Sequence, residues 1–575
     1  VLSVAGALLG LVRDQALARL FGAGSETDAF LVAWTVPEFA STLLIEDGLA
    51  FALVPAFSLA LARRARGAHG DPVRALVATT LPRLSLAFAG VCALLVATAP
   101  FLVRLLAPGL SDHALAVDCT RLTATCVLGF GLAGYFSAAL RAHRTFLAPA
   151  AIYVAYNTGI ITAMFVLGEG WGVRSAAVGV AAGGFLMVAL QLPSLLRRLR
   201  ERGAAPTPHP EAGRTAGPAR PMAPALLPAV LLFALCRQSQ ILIERFLASS
   251  LPAGAISHLN YAQKVAQIPM TLSLMLCTVT FPVVARALAD GDTERARSRV
   301  ERDLALAACV VLLGTATVVA CAPQLVELLF QRGAFTARDT AATAGVMRVY
   351  ALGLLGQTLV GALVRSYFST GRASWYPLGA MAVGVLVTAC AGAWAVGPWG
   401  VHGIAAANAA GITVTAALLL HGMGPRSVPV RIRRVLAGLS GPVWAAALAA
   451  PAGAVAAGLA GSPVPGLTAG CLTVTAVFLL AGRVLGVQGT GPALRCVHSV
   501  TRRLSHDRCR TFRPFRRLRT FHPFQTFRRL RTLRPFRRLR TLRTSRRLRG
   551  PGELDGLRGN HGSRESRPLR TPRCR

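Results

Sequence analysis

Lysine is almost missing from this chain of 575 residues: of 62 basic side chains, Lys264 alone is not an arginine. Acids are scarce as well, 24 against those 62, and charged residues make up only 15% of the total. Paired cysteines are missing too. The 12 cysteines sit mostly singly in apolar stretches such as "GVCALLV" and "AACVVLL", with no CxxC pair and no nearby cluster of histidines. That excludes the usual zinc and disulfide frameworks and reads as buried, inert thiols. No nucleophile-and-base motif, P-loop, zinc spacing or dinucleotide fingerprint occurs in a context that would support it. The chain therefore reads as neither an enzyme nor the holder of a cofactor.

What is abundant is hydrocarbon. The sequence is 53% hydrophobic with a mean hydropathy of +0.52, too apolar and too long for one soluble core. Its formal charge of +38 suggests a nucleic-acid partner, but residues 495–575 alone hold 26 arginines against four acids. Those residues repeat "TFRPFRRLR" and "TLRPFRRLR" without any recognisable RNA-binding module. Two readings of this tail stand: attraction to anionic inner-leaflet lipid, worth about 1 kcal/mol per basic residue near the surface, or a GC-rich repeat without a selected role. Neither calls for nucleic acid.

A spanning helix needs about 20 apolar residues, and that window yields about fourteen candidates, centred from Leu9 to Val477. The second runs from Asp28 to about Ala62, is too long for one ordinary span and is interrupted by "IEDG", which predicts a broken helix. Arginine-rich loops alternate with loops poor in charge, so both termini are expected on the cytoplasmic side. The first helix, already apolar at Val1 and without a cleavage pattern, is expected to be a retained anchor.

An internal repeat organises these spans. "GLAGYFSAALRAHRTFLAPA" with "GEGWGVRSAAVGVAA" is echoed by "GLLGQTLVGALVRSYFSTGRASWYPL" with "VGPWGVHGIAAANAA", and Trp171 and Pro149 match Trp399 and Pro377 at the same spacing. The expected architecture is an all-α polytopic membrane protein of two pseudo-symmetric six-helix lobes, 1–200 and 222–424. A flexible linker, 201–221, joins them, two further helices fill 425–487, and 488–575 is a disordered tail. Six spans per copy, an even number, makes the lobes parallel repeats, and such bundles place their site near mid-bilayer where the lobes meet.

Charges inside spans mark that site, because an ion in hydrocarbon is costly unless it faces a partner or a watery cavity. Arg13 lies about nine residues from the outer end of its helix, roughly 13 Å deep, and Lys264 in "LNYAQKVAQIP" is at a similar depth. If both face the cleft they form a cationic site shared by the lobes, suited to phosphate or carboxylate; the alternative is internal pairing of Arg13 with Asp28 or Asp14. Glu38 after Pro37, and Glu46 and Asp47 beside Gly48, are candidates for ion or gating sites, or else occupy a hydrated cytoplasmic helix end. Glu244 and Arg245 are adjacent on one helix, do not face each other, and each needs a partner elsewhere. Arg245, like Arg19, is expected to snorkel to the outer boundary.

The stretches "GLVRDQALARLFGAGSETDAFLVAWTVPE", "VPAFSLALA", "FLASSLPAGAISHLNYAQKVAQIP" and "LFQRGAFTARDT", in this order, resemble the MurJ (MviN) lipid II flippase family of the MOP exporter superfamily, over roughly Val1 to Val487. The resemblance implies a fourteen-helix, V-shaped, two-lobed transporter of the bacterial cytoplasmic membrane. Such a protein alternates between inward-open and outward-open states and moves lipid II outward without ATP hydrolysis, as a monomer. It implies coupling to the membrane potential or a monovalent cation rather than a cofactor. Arg13 and Asp28 match essential charged positions of the family, and Asp14 the acid that usually follows the first of them. Lys264 stands where the family usually has a cavity arginine. Ala7 and Ser41 stand where well-studied members carry two more, Glu38 replaces an asparagine, and Gln267 replaces a glutamate. These departures leave open another polyprenyl-linked glycan as cargo, or a MATE-like antiport of small amphipathic compounds; a non-transporting scaffold is a third reading.

Overall fold

The computed structural model describes residues 2–46, 48–66, 70–200, 226–275, 292–368, 374–424 and 430–487. The expected linker, 201–221, and tail, 488–575, lie outside the described residues, as does Asp47. The chain divides into two units, 1–503 and 504–575, and every described residue belongs to the first.

In hydrocarbon a backbone must satisfy its own polar groups, and a helix does so within one segment. All regular elements among the described residues are helices. The first half holds α1 (Leu2–Phe21), α2 (Ser25–Ala33), α3 (Thr35–Ala40), α4 (Gly48–Ala65), α5 (Pro72–Leu106), α6 (His113–Ala124), α7 (Cys126–Ala142), α8 (Leu147–Trp171) and α9 (Arg174–Arg200). The second holds α10 (Leu226–Ala248), α11 (Ala255–Ala266), α12 (268–275), α13 (Thr293–Ala320), α14 (Ala322–Phe330), α15 (Ala337–Ala351), α16 (Leu354–Phe368) and α17 (Tyr376–Gly422). After these come α18 (Ile432–Gly458) and α19 (Pro463–Val484).

Nine helical runs among the described residues, with Ser25–Ala65 and His113–Ala142 each taken as one, are long and apolar enough to cross a membrane, and α15 with α16, bent by 46° at their junction, makes a tenth. At 47 residues α17 is about 70 Å long, twice what a bilayer needs. It is two spans in one, divided at Gly400, whose φ of 52° no ordinary side chain adopts readily. The first half makes the same corner at Gly172, φ 54°, between α8 and α9. Each corner follows an exposed tryptophan, Trp171 and Trp399, the residue type that settles at a membrane interface. The repeat seen in the sequence is thus also a repeat of backbone geometry. α1 and α10, of 20 and 23 residues, are of spanning length as well. The full expectation of about fourteen spans rests partly on residues outside the description.

The break expected at "IEDG" is a π-helical turn over Ser41–Glu46, directly before α4. Such turns recur at functional sites because they aim side chains off the regular helix face. Elsewhere the helices close on small residues, as membrane helices do without a hydrophobic drive between them. A Cβ at Gly179 on α9 would lie 2.7 Å from the Ile160 backbone on α8. Within the first half α8 packs on α1 and α9, and α7 on α4 and α9; within the second, α17 packs on α10 and α16, and α11 on α15. The α18/α19 pair leans on α13. The halves meet where α11 touches α2, α10 touches α3, and α1 touches α14.

Candidate functional site between the halves

One end of the junction is sealed by backbone. Ala334 N–H donates to the Arg19 carbonyl at 2.9 Å, and Gly109 N–H to Ser249 Oγ at 3.3 Å. A Cβ at Gly254 would lie 2.8 Å from the Ala23 carbonyl oxygen, so the chains pass there with no room for a side chain. Beneath the seam Tyr261, Phe330 and Phe335 form an aromatic plug with ring centroids 5.0 to 5.9 Å apart.

Asp28 belongs to this seal. Its carboxylate, 4% exposed, accepts from Gly254 N–H at 2.7 Å and from Ser257 N–H and Oγ–H at 2.7 and 2.5 Å. A helix start leaves four N–H groups without partners, and an acid placed there both bonds them and meets the positive end of the helix dipole. Here the cap of α11 comes from α2 in the other half. The pairing of Asp28 with Arg13 weighed from sequence is not what the side chains do: Asp28 is absorbed by the α11 start and does not line the cavity. Helix starts find such partners only in three dimensions.

About ten residues further along, roughly 13 to 15 Å at the helix rise, the halves separate around a cavity of about 380 Å3. Arg13 and Lys264 both line it, one from each half. The Arg13 guanidinium is held four ways: Asp14 Oδ1 at 2.6 and 3.0 Å, Asn157 Oδ1 at 3.2 Å, and the Trp34 ring at 4.5 Å. Asn157 is itself fixed by donating to the carbonyls of Gly6 and Tyr153 at 3.1 and 2.9 Å.

Two further cations, Arg245 and Lys264, are tied across the junction. Glu38 on α3 accepts from Arg245 at 2.8 Å with one carboxylate oxygen and lies 3.5 Å from Lys264 Nζ with the other. Arg245, expected to snorkel outward, is 5% exposed and points inward, also donating to Thr35 Oγ1. Its sequence echo, Arg19, is exposed. Glu244, one residue away and so about 100° round α10, stays within the second half and accepts from Tyr350 O–H at 2.5 Å and from the Asn408 amide. Glu46, at the end of the π-turn, accepts from Tyr153 O–H at 3.0 Å and lines the cavity, as does Gln267 at the C-terminal end of α11. Ser41 contributes a hydroxyl 3.1 Å from Tyr153.

Among the lining cations, Arg237 on α10 was not singled out from sequence. Its signal was available, because it sits near the middle of a 23-residue apolar helix, as deep as any charge considered. Among the described residues no group of three or more His, Cys, Asp or Glu is placed to hold a metal ion.

Two helical halves that meet around a polar cavity are the architecture of a membrane transporter. The fold agrees with solved structures of that kind. A lipid II flippase MurJ in an inward closed conformation superposes with a TM-score of 0.66, covering 84% of this chain and 98% of that one at 18% identity. A multidrug-resistance MATE family transporter of the MOP superfamily, inward-facing, gives 0.58 over 75% and 95% at 15% identity. The chain itself belongs to the family described as lipid II flippase MurJ, which it matches over residues 17–464. Relatives include the lipid II flippase MurJ of Burkholderia cenocepacia, 28% identical over 63% of this chain and 70% of that protein. The probable lipid II flippase MurJ of Bdellovibrio bacteriovorus is 27% identical over 75% and 81%.

Proposed function

We propose that this protein flips a polyprenyl-diphosphate-linked cell-wall precursor, lipid II, from the inner to the outer leaflet of the bacterial cytoplasmic membrane by alternating access. The observation that carries the reading is a water-accessible cavity lined from both halves by Arg13 and Lys264, in a chain of this family. A diphosphate cannot cross hydrocarbon unaided, whereas a prenyl tail can remain in it, so the work lies in sheltering the headgroup. In this reading Arg13 and Lys264 contact the diphosphate, Glu38 is the counter-ion it displaces, and Asp28 holds the outer seam shut while the cavity loads. About 380 Å3 is room for a diphosphate and part of a sugar, so a whole headgroup requires the halves to part. The membrane potential, about 2.3 kcal/mol per charge per 100 mV, biases any step that moves net charge. Both termini face the cytoplasm, where the arginine-rich tail meets anionic lipid.

The test is growth of a MurJ-depleted bacterium carrying the full chain. Rescue is expected, together with labelled lipid II appearing on the outer face of the cells. Absence of rescue by a chain that is stably inserted removes lipid II as the cargo.

A further inference from the structure

The cavity's cations are not equally available. Arg13 is neutralised by Asp14 on its own helix. Lys264 and Arg245 share the single carboxylate of Glu38. Arg237 alone among the described cavity-lining cations has no hydrogen bond or ion pair to any described residue, and its side chain is exposed to the cavity. It sits eleven residues from either end of α10, roughly 16 Å, beyond the reach of a guanidinium seeking an interface. A cation at that depth is costly unless it faces a partner or a watery cavity, and no described residue pairs with it. Its neighbour Gln238 donates to Thr42 Oγ1 at 3.1 Å, which pins this level of α10 against the first half and holds Arg237 over the cavity.

We infer that Arg237 is the primary anion contact of the cavity: its planar fork receives the diphosphate first, bidentately, before Lys264 is released from Glu38. This rests on the proposed flippase reading and adds to it a residue and an order of engagement. The negative charge arriving at Arg237 then competes with Glu38 for Lys264, so loading loosens a bond between the halves.

The test uses the full-length protein in detergent with farnesyl diphosphate as probe and farnesol as the uncharged control. Wild-type protein is expected to bind the diphosphate with an affinity that falls as salt rises. R237Q is expected to lose at least tenfold, R237K about threefold because it keeps charge without the fork, and neither to change farnesol binding. Because Arg237 has no described protein partner, both variants should retain the wild-type unfolding temperature. Equal binding of farnesyl diphosphate by wild type and R237Q overturns the inference and leaves the flippase reading standing. Equal loss of farnesol and diphosphate overturns it too, by showing that Arg237 only shapes the site. A wild-type protein that ignores farnesyl diphosphate defeats the flippase reading itself.

Discussion

The two halves carry their buried charges in opposite ways. In the first, Arg13 is neutralised by the next residue in its own helix, stacked on Trp34 and steadied by Asn157, all within residues 13–157. In the second, the cations Arg245 and Lys264 and the bare start of α11 all rely on carboxylates from the first half, Glu38 and Asp28. Glu244, by contrast, is satisfied within its own half. Equal folds therefore do not mean equal roles: at the junction the first half supplies the acids, Asp28 and Glu38, and the second supplies the cations and the helix start that they meet. A transporter needs such dependence, because contacts made and broken between rigid bodies are what a ligand can bias.

The largest effect should come from cutting the loan at mid-membrane. Glu38→Ala leaves Arg245 buried without its acid, a loss on the order of 3–5 kcal/mol, read as a lower unfolding temperature in detergent. Adding Arg245→Leu should recover most of it, as coupled partners do in a double-mutant cycle. If the two losses simply add, the halves are not joined by this pair.

Asp28→Ala comes next. It strands the first N–H groups of α11, about 1–3 kcal/mol for unsatisfied buried donors, and should weaken the seam more than the bundle. The readout is disulfide formation between cysteines placed at Ala23 and Ala253, expected to fall several-fold; unchanged crosslinking means the backbone contacts alone keep the seam shut. The smallest effect should be that of Glu244→Gln, because the amide oxygen can still accept from Tyr350 and both partners lie in the same half. Crosslinking at the seam should stay at the wild-type level, and a large drop would break the contrast between borrowed and local carboxylates.

Much of this was legible in residue order. Depth along a helix singled out Arg13 and Lys264, because spacing times rise needs no coordinates, and "IEDG" announced the break in the second span. Partners were less legible. Asp14 and Asp28 were equal candidates for Arg13, since sequence distance does not reveal which acid meets a helix start 226 residues away. Arg245 was expected to be an interfacial anchor like its echo Arg19, which is exposed, yet of the two only Arg245 faces an acid from the other half. Arg237 lies at least as deep, eleven residues from either end of α10, and the same depth argument applies to it.

The one-sided lending of charge also bears on biogenesis. Arg13 and Asp14 enter the bilayer together as a near-neutral dipole, so α1 can insert as soon as it leaves the ribosome. Arg245 and Lys264 find no counter-ion until α3 is already in place, and synthesis from the N-terminus delivers Glu38 first. Exchanging the order of the halves by circular permutation would present these cations to the translocon before their acid exists.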